Sequence, residues 1–164
     1  MSYTTPRNWV DGELEDASIF NTHLRDQLNA LTVRGTWTPV IGGAGGTSGQ
    51  TYSIQVGKYV LDYNSFSAWA YVKLSAKGTI TGAVQISGLP FTAENTTNLR
   101  AVATIGLFAG LSTSWIWLGG YVLPNSSVIV LNGTQSASTA TSGLTTTDIG
   151  NNTELVISVQ YTTV

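Results

Sequence analysis

Hydrophobic and polar residues alternate with a period of two over much of the chain after Gly35, which is typical of β-strands that bury one face. In the segment 66–74 the apolar positions are Phe66, Ala68, Ala70, Val72 and Leu74. Segment 154–162 alternates in the same way. Other strand-like segments are Trp37–Ile41, Tyr52–Val56, Ala83–Ile86, Leu99–Leu107, Ser114–Val122 and Val128–Leu131. Many short strands without intervening helices predict a mainly β protein, namely an antiparallel β-sandwich with a jelly-roll-like arrangement.

The segment before Gly35 has the period of a helix instead. Its large apolar residues are Phe20, Leu24, Leu28 and Leu31. At about 100° per residue these four fall on one stripe. We predict that Asp16 caps the N-terminus of this helix and that Gly35 stops it. Because an isolated helix of this length is marginal in water, the stripe is expected to pack on the chain's own β-domain, on sister helices around a three-fold axis, or on a foreign surface.

Charged residues divide the chain at the same point. Residues 1–34 contain five acidic and three basic residues, whereas residues 35–164 contain four of each. We therefore predict an N-terminal anchoring arm and helix, residues 1–34, and a β-sandwich knob that oligomerises, residues 35–164. Within the arm, Pro6 and Gly12 disfavour a helix and predict an extended segment.

Composition excludes several classes of partner. The net charge of −2 gives no electrostatic reason to bind nucleic acid or an acidic membrane surface. No apolar run approaches the roughly 20 residues of a membrane-spanning helix, and no signal peptide is evident. We expect a protein made in a cytoplasm that has neither nucleic acid nor membrane as a partner.

Aromatic residues on the polar faces of the predicted strands indicate a further surface. Trp69 and Tyr71 lie on the face that a lone sandwich would expose, and Trp115 and Trp117 share a face two residues apart. Because soluble monomers seldom expose large apolar patches, we expect a homo-oligomer that covers these residues. Two alternatives stay open: the aromatic residues are ordinary core, or Trp115, Trp117 and Tyr121 stack on sugar rings.

Residues suited to catalysis or metal binding are few. His23 is the one histidine, and there is no cysteine. The carboxylates of the β-domain are scattered along the sequence, so no acid–base pair is predicted. The segment Gly42–Gly46 lacks the lysine and the following helix of a phosphate-binding loop. We expect a protein that is not an enzyme and that holds no metal and no cofactor.

Two motifs stand close together in the first fifth of the chain, "TPRNWVDGE" and "ASIFNTHLRDQLNAL". Together they resemble an N-terminal module of many tailed-bacteriophage virion proteins, in which Pro-Arg-x-Trp-Val-x-Gly-Glu precedes an Asn-x-x-Leu-Arg-Asp-x-Leu-Asn helix. The matching residues are Pro6, Arg7, Trp9, Val10, Gly12 and Glu13, then Asn21, Leu24, Arg25, Asp26, Leu28 and Asn29. In addition, "GTWTPVIGG" and "GAVQISGLPF" are similar to segments of phage fibre and head-fibre knobs, which are typically trimeric β-sandwiches.

The resemblance implies a protein of the phage virion that forms a homotrimer and docks on the particle through its N-terminal arm. The docking residues are expected to be Pro6, Arg7, Trp9, Val10 and Glu13. The helix stripe of Phe20, Leu24, Leu28 and Leu31 is expected to lie near the trimer axis.

A short connector, Thr32–Thr36, favours one location in the virion. An extended chain spans at most about 3.3–3.6 Å per residue, so the connector holds the knob within about 20 Å of its anchor. We therefore expect a capsid decoration protein or head fibre of the cement type, docked on the major capsid protein or another virion protein. The alternative is a tail-fibre or tail-tip knob that binds host-surface glycan. The candidate glycan or subunit contacts are Trp69, Tyr71, Trp115, Trp117 and Tyr121.

Overall fold

Antiparallel strands make up most of the protein. The computed structural model describes residues 8, 10–12, 16–26, 28, 31–136 and 140–164. A short helix α1 (Ala17–Phe20) continues into a π-helical segment (Asn21–Arg25). The strands are β1 (Thr32–Trp37), β2 (Val40–Gly43), β3 (Gly46–Ser48), β4 (Thr51–Asp62), β5 (Ser65–Ala76), β6 (Thr79–Thr81), β7 (Val84–Ser87), β8 (Ala101–Ala109), β9 (Trp117–Val122), β10 (Ile129–Thr134), β11 (Ser142–Gly143) and β12 (Glu154–Thr162).

Ten of the twelve strands found in the described residues belong to one antiparallel sheet. Its strand order is β1-β4-β5-β12-β8-β9-β10-β7-β2, and β11 pairs with β10. β3 and β6 form a separate two-stranded sheet. The prediction of a mainly β, antiparallel, sandwich-like fold is confirmed. The homotrimer stays a prediction.

The large sheet curls until its two ends meet. β1 and β2 lie at opposite ends of the strand order, yet Thr38 and Pro39 alone separate them in the chain, which limits the gap to about 10 Å. Side chains of β4 join the ends. The Tyr52 hydroxyl accepts a hydrogen bond from the Ile41 backbone N–H at 3.1 Å, and Gln55 Nε2 donates to the Pro39 carbonyl at 2.9 Å. The curled sheet therefore supplies both layers of the sandwich.

The inward faces of the strands enclose a hydrophobic core. Its largest fully buried side chains include Phe66, Ile41, Leu74, Ile86, Ile129, Leu131, Leu144, Ile149 and Leu155. Around Phe66, the rings of Tyr59, Phe91 and Tyr161 pack with centroid separations between 4.8 and 5.7 Å. All five residues predicted as the apolar face of segment 66–74 are buried, so the predicted alternation of that strand is confirmed.

The N-terminal helix begins as predicted but ends earlier. Asp16 Oδ1 accepts hydrogen bonds from the backbone N–H groups of Ser18 at 2.8 Å and Ile19 at 3.0 Å, which confirms the N-cap. The predicted stop at Gly35 is wrong, because Thr32–Trp37 pairs along its whole length with β4. At Gly35 the Tyr59 ring occupies the space that a Cβ would need. The predicted boundary between residues 34 and 35, and the predicted connector, therefore fall inside a strand.

Three further local predictions are corrected. The segment Trp37–Ile41 is two strands, since the chain turns from one end of the sheet to the other at Pro39, whose nitrogen cannot donate to a ladder. The segment predicted to begin at Ser114 becomes a strand only at Trp117. In the arm, Asp11 and Gly12 form a turn, with Gly12 at φ +81°, so the arm is not extended there.

Candidate functional site

Strands β4, β5, β12 and β8 present to solvent the side opposite the core, which we call the outer face. On β5 it carries Ser67, Trp69, Tyr71 and Lys73, which alternate with buried residues. Exposed apolar side chains of the neighbouring strands on this face are Val56, Val102, Leu107 and Val156. The same strands therefore have a filled apolar side and a second, partly apolar side that nothing in the described chain covers.

Trp69 stands near the middle of the outer face with 50% of its surface exposed. It lies opposite Lys58 of β4 and Ser158 of β12. Its backbone carbonyl accepts a hydrogen bond from Trp37 Nε1 at 3.2 Å, which fixes the strand beneath it. The indole ring is thus held on a rigid base and remains accessible.

Two hollows flank Trp69. The apolar hollow, about 370 Å³ in volume, is bordered by Val56, Lys58, Tyr71, Gly106 and Val156. The polar hollow, about 250 Å³ in volume, is bordered by Ser67, Val102 and Gln160. Trp69, Thr104 and Ser158 line both. The indole therefore separates an apolar space from a space that hydroxyl and amide groups share with two valine side chains.

A β-bulge opens the floor of the apolar hollow. Ile105 pairs with Ile157 and Leu107 with Val156, so Gly106 is the extra residue on β8. A Cβ at Gly106 would meet no atom within 4 Å. Gly106 therefore lines the hollow with backbone alone.

A closed polar cluster borders the apolar hollow. The Tyr71 hydroxyl donates to Glu154 Oε1 at 2.5 Å, and Lys73 Nζ lies 3.0 Å from Glu154 Oε2. The hydrogen bonds from Tyr71 and Lys73 hold the pKa of Glu154 below its usual value, and the hydrogen bond to Glu154 raises the pKa of Lys73. These two charges compensate each other. Lys58 also lines the apolar hollow, and it forms no ion pair with any described residue.

The polar hollow offers hydrogen-bonding groups that the fold does not use. The side chains of Ser67, Thr104, Ser158 and Gln160 make no hydrogen bond to any described residue. Hydroxyl and amide groups both donate and accept hydrogen bonds. A ligand that lies beside Trp69 could therefore be bound from the sheet surface without any rearrangement of the fold.

Trp117 provides a second accessible indole on the same side of the sheet. Half of its surface is exposed, and it begins β9. Its six-membered ring covers Gly119, because a Cβ at residue 119 would lie 2.5 Å from Trp117 Cη2. The missing side chain at Gly119 lets the ring lie against the sheet.

Tyr121 and Trp115 have different environments. Tyr121 lies on the same side of β9 as Trp117, with the Arg100 guanidinium 5.0 Å from its ring centroid. The prediction that Trp115 and Trp117 share a face is wrong. Trp115 precedes the strand, packs against the core, and donates from Nε1 to Thr113 Oγ1 at 3.0 Å.

Asp148 fixes the loop that carries Trp115. Its carboxylate accepts hydrogen bonds from the Thr113 hydroxyl, from the Thr145 backbone N–H at 2.7 Å and from the Thr145 hydroxyl at 2.8 Å. Burial alone would raise the pKa of Asp148, but hydrogen bonds from Thr113, Thr145 and Trp115 outweigh burial and hold the pKa below its usual value. Asp148 is therefore a fully bonded structural carboxylate.

The other carboxylates of the sandwich are also engaged separately. Glu94 accepts hydrogen bonds from the hydroxyls of Thr162 at 2.7 Å and Thr96 at 2.8 Å, which lower its pKa.

In the described part of the chain, no group of three histidine or acidic side chains is placed to hold a metal ion. The described helices include none that is long and apolar enough to cross a membrane.

Most predicted docking residues fall outside the part of the chain that the structure describes. These are Pro6, Arg7, Trp9 and Glu13; Val10 is described and 70% exposed. The predicted helix stripe of Phe20, Leu24, Leu28 and Leu31 has between 43% and 57% of each side chain exposed. The described N-terminal segment is thus not buried against its own sandwich.

Sequence reasoning missed the polar groups around Trp69. Ser158 and Thr104 come from distant parts of the sequence and meet Trp69 only through the pairing of β5 with β12 and of β12 with β8. Alternation within each segment places them on a polar face, so a correct strand order would have brought them together. That order is not readable from one sequence.

Comparison with known proteins gives one informative likeness. No protein-family model matches the chain, and the curated proteins contain no match. Among solved structures, the crystal structure of the Dettilon tailspike protein (gp208) matches 79% of this chain with a TM-score of 0.59 and 15% sequence identity. The chain spans 23% of the length of that protein. At this identity the likeness shows the fold: this type of β-sandwich also occurs within a phage tailspike protein.

Proposed function

We propose that the protein is a component of a phage virion and that its sandwich is a tail-fibre or tailspike module that binds host-surface carbohydrate without cleaving it. The observation that carries the proposal is the half-exposed indole of Trp69 between two hollows. Amphipathic aromatic rings are suited to contacts that are apolar on one side and wet on the other. The shared fold with a tailspike protein supports a place in the tail.

The test is binding of the full-length protein to host cells and to their purified surface polysaccharide. Trp69→Ala is expected to weaken binding about tenfold or more, while Trp69→Phe keeps most of it because a ring remains. Tyr63→Ala is the matched control, since Tyr63 is another exposed aromatic residue but lies in the turn between β4 and β5. Unchanged binding by Trp69→Ala would count against the proposal. A lower solution mass for Trp69→Ala by light scattering would assign this ring to a subunit contact.

Capsid decoration is a second candidate function, favoured by the direct passage from the helical segment into β1. The helical segment reaches Leu28 and the sandwich begins at Thr32, so there is no room for a shaft. Under this second proposal the exposed helix stripes of three copies pack against one another, and the N-terminal arm binds the capsid. Imaging of particles assembled with a chain lacking residues 1–30 tests the anchor: the protein should be lost from the virion. The position of the intact protein, on the head or on the tail, decides between the two candidates.

A further inference from the structure

We propose that the outer face, together with the outward side of β9, binds a linear, uncharged oligosaccharide that crosses the strands from Trp69 to Trp117. This inference rests on the proposed carbohydrate-binding function and adds a second stacking residue, the direction of the ligand and its chemical class. It starts from one transverse row of the sheet. Trp69 pairs with Ser158, Ser158 with Thr104, and Thr104 with Gly119.

The row places two indoles at the ends of a floor of small residues. β5 and β9 are three strand spacings apart, about 14 Å measured along the curled sheet. Trp117 reaches into this row because its ring lies over Gly119. A single sugar ring would touch one indole, whereas a chain of a few sugars would reach both.

The side chains between the indoles fit sugar hydroxyls better than a protein surface. Ser158 and Thr104 present hydroxyls that no described residue bonds, and Gln160 adds an amide beside them. An interface between protein copies would leave these polar groups to be desolvated without assigned partners, which is costly. A polyhydroxylated ligand supplies both donors and acceptors along the whole row.

The charge of this row determines the ligand class. No described charged side chain lies between the two indoles: Lys58 continues the row beyond Trp69, and Arg100 lies against Tyr121 at the β9 end. Glu154, the acid on this side of β12, is ion-paired with Lys73. Lys58 lies on the far side of Trp69, in the apolar hollow. We therefore assign uncharged hexoses to the row itself.

The experiment measures binding of full-length protein by calorimetry and tryptophan fluorescence. The probes are maltose, cellobiose and galactan series from disaccharide to hexasaccharide, and polygalacturonate fragments of the same lengths. A hexasaccharide of at least one neutral series is expected to bind about tenfold more tightly than its disaccharide, because it contacts both indoles. Binding should change little with added salt, since no ion pair forms.

Variants separate the second indole from the first. Trp117→Ala should reduce hexasaccharide affinity to the level of the disaccharide and leave disaccharide affinity unchanged. Gly119→Ala should act in the same direction, because the added Cβ displaces the Trp117 ring without removing it. Gly143→Ala is the control, since a Cβ there makes only an ordinary contact at 3.9 Å.

The outcomes distinguish the proposed carbohydrate-binding function from the proposed crossing to Trp117. If neutral hexasaccharides bind through Trp69 but Trp117→Ala and Gly119→Ala have no effect, the proposed crossing to Trp117 is wrong and the proposed function stands. If polygalacturonate binds more tightly and salt abolishes its binding, the uncharged class is wrong. If no probe binds the unmodified protein, the proposed crossing to Trp117 is wrong, and binding of whole host polysaccharide then decides the proposed function separately.

Discussion

The two faces of β5 show how one strand can serve stability on one side and recognition on the other. Toward the core it places Phe66, Ala70 and Val72, which are buried among other strands. Away from the core it places Trp69 and Tyr71, on a surface with open hollows. Residues on the inner face are constrained by packing, whereas on the outer face the described fold holds Tyr71 and Lys73 through Glu154 and leaves the Trp69 indole accessible. A sheet face that keeps large apolar side chains exposed is a candidate surface for the external partner we propose.

The largest expected effect tests this difference directly. Phe66→Ala removes the ring at the centre of the aromatic cluster and should lower the free energy of unfolding by about 3–5 kcal/mol. Trp69→Ala, three residues further along β5 and on the opposite face, should change it by less than about 1 kcal/mol, because its indole fills no core space. Denaturant titrations of both variants check this. Similar losses for the two would mean that the outer face is packed in solution.

A second prediction concerns the edge of the sandwich. Gly35→Ala forces a Cβ against the Tyr59 ring, and we expect a loss of about 1–3 kcal/mol from overpacking. Gly143→Ala should be near neutral. Thermal unfolding of the pair measures the difference. A neutral Gly35→Ala would show that the Tyr59 ring moves freely and that β1 adds little to the core.

A third prediction compares a buried polar side chain, Asp148, with a polar side chain of the outer face, Ser158. Asp148→Asn replaces one oxygen of a buried carboxylate that accepts hydrogen bonds from Thr113 and Thr145 with an NH₂ group, so it should cost about 1–3 kcal/mol at neutral pH. Since folding lowers the pKa of Asp148, its stabilisation is present above the unfolded value of about 3.9 and is lost as pH falls through the folded value. The unmodified protein should therefore lose stability below about pH 4 more steeply than Asp148→Asn. Ser158→Ala, on the outer face, should change neither the stability at neutral pH nor its loss in acid. The measurement is the free energy of unfolding of the three proteins as a function of pH. An equally steep loss of stability in acid for all three would contradict the role given to Asp148.

The smallest expected effect is removal of residues 1–30. Because the helix stripe is exposed and Leu31, whose carbonyl accepts from the Tyr63 backbone N–H at 2.8 Å, is retained, the free energy of unfolding should change by less than about 1 kcal/mol. Chemical unfolding at several protein concentrations measures it. A concentration-dependent loss would instead indicate that the segment joins subunits.

The sequence allowed the fold class, the N-cap at Asp16 and the two faces of segment 66–74 to be predicted, because each depends on residues close together in the chain. Predictions from the sequence failed where the local structure depends on contacts with distant segments. Gly35 has the signature of a helix stop, but pairing with β4 draws Thr32–Arg34 into a strand. Trp115 continues an apparent alternation, but its loop is held by Asp148 instead of by a ladder.

The candidate site was predictable only in part for the same reason. Trp69 was recognisable from alternation, whereas its neighbours across the sheet depend on strand order. The bulge at Gly106 and the contact of Trp117 with Gly119 leave no pattern in a single sequence.

The two-residue passage through Thr38 and Pro39 has a consequence for how the molecule comes apart. It links the first and the last strand of the sheet order, β1 and β2. Local unfolding of one of these edge strands therefore also displaces the other. We expect the sandwich to open as one cooperative unit, in a single all-or-none transition. The sheet also pairs strands that lie far apart in the sequence, such as β5 with β12, so we expect folding to be slow.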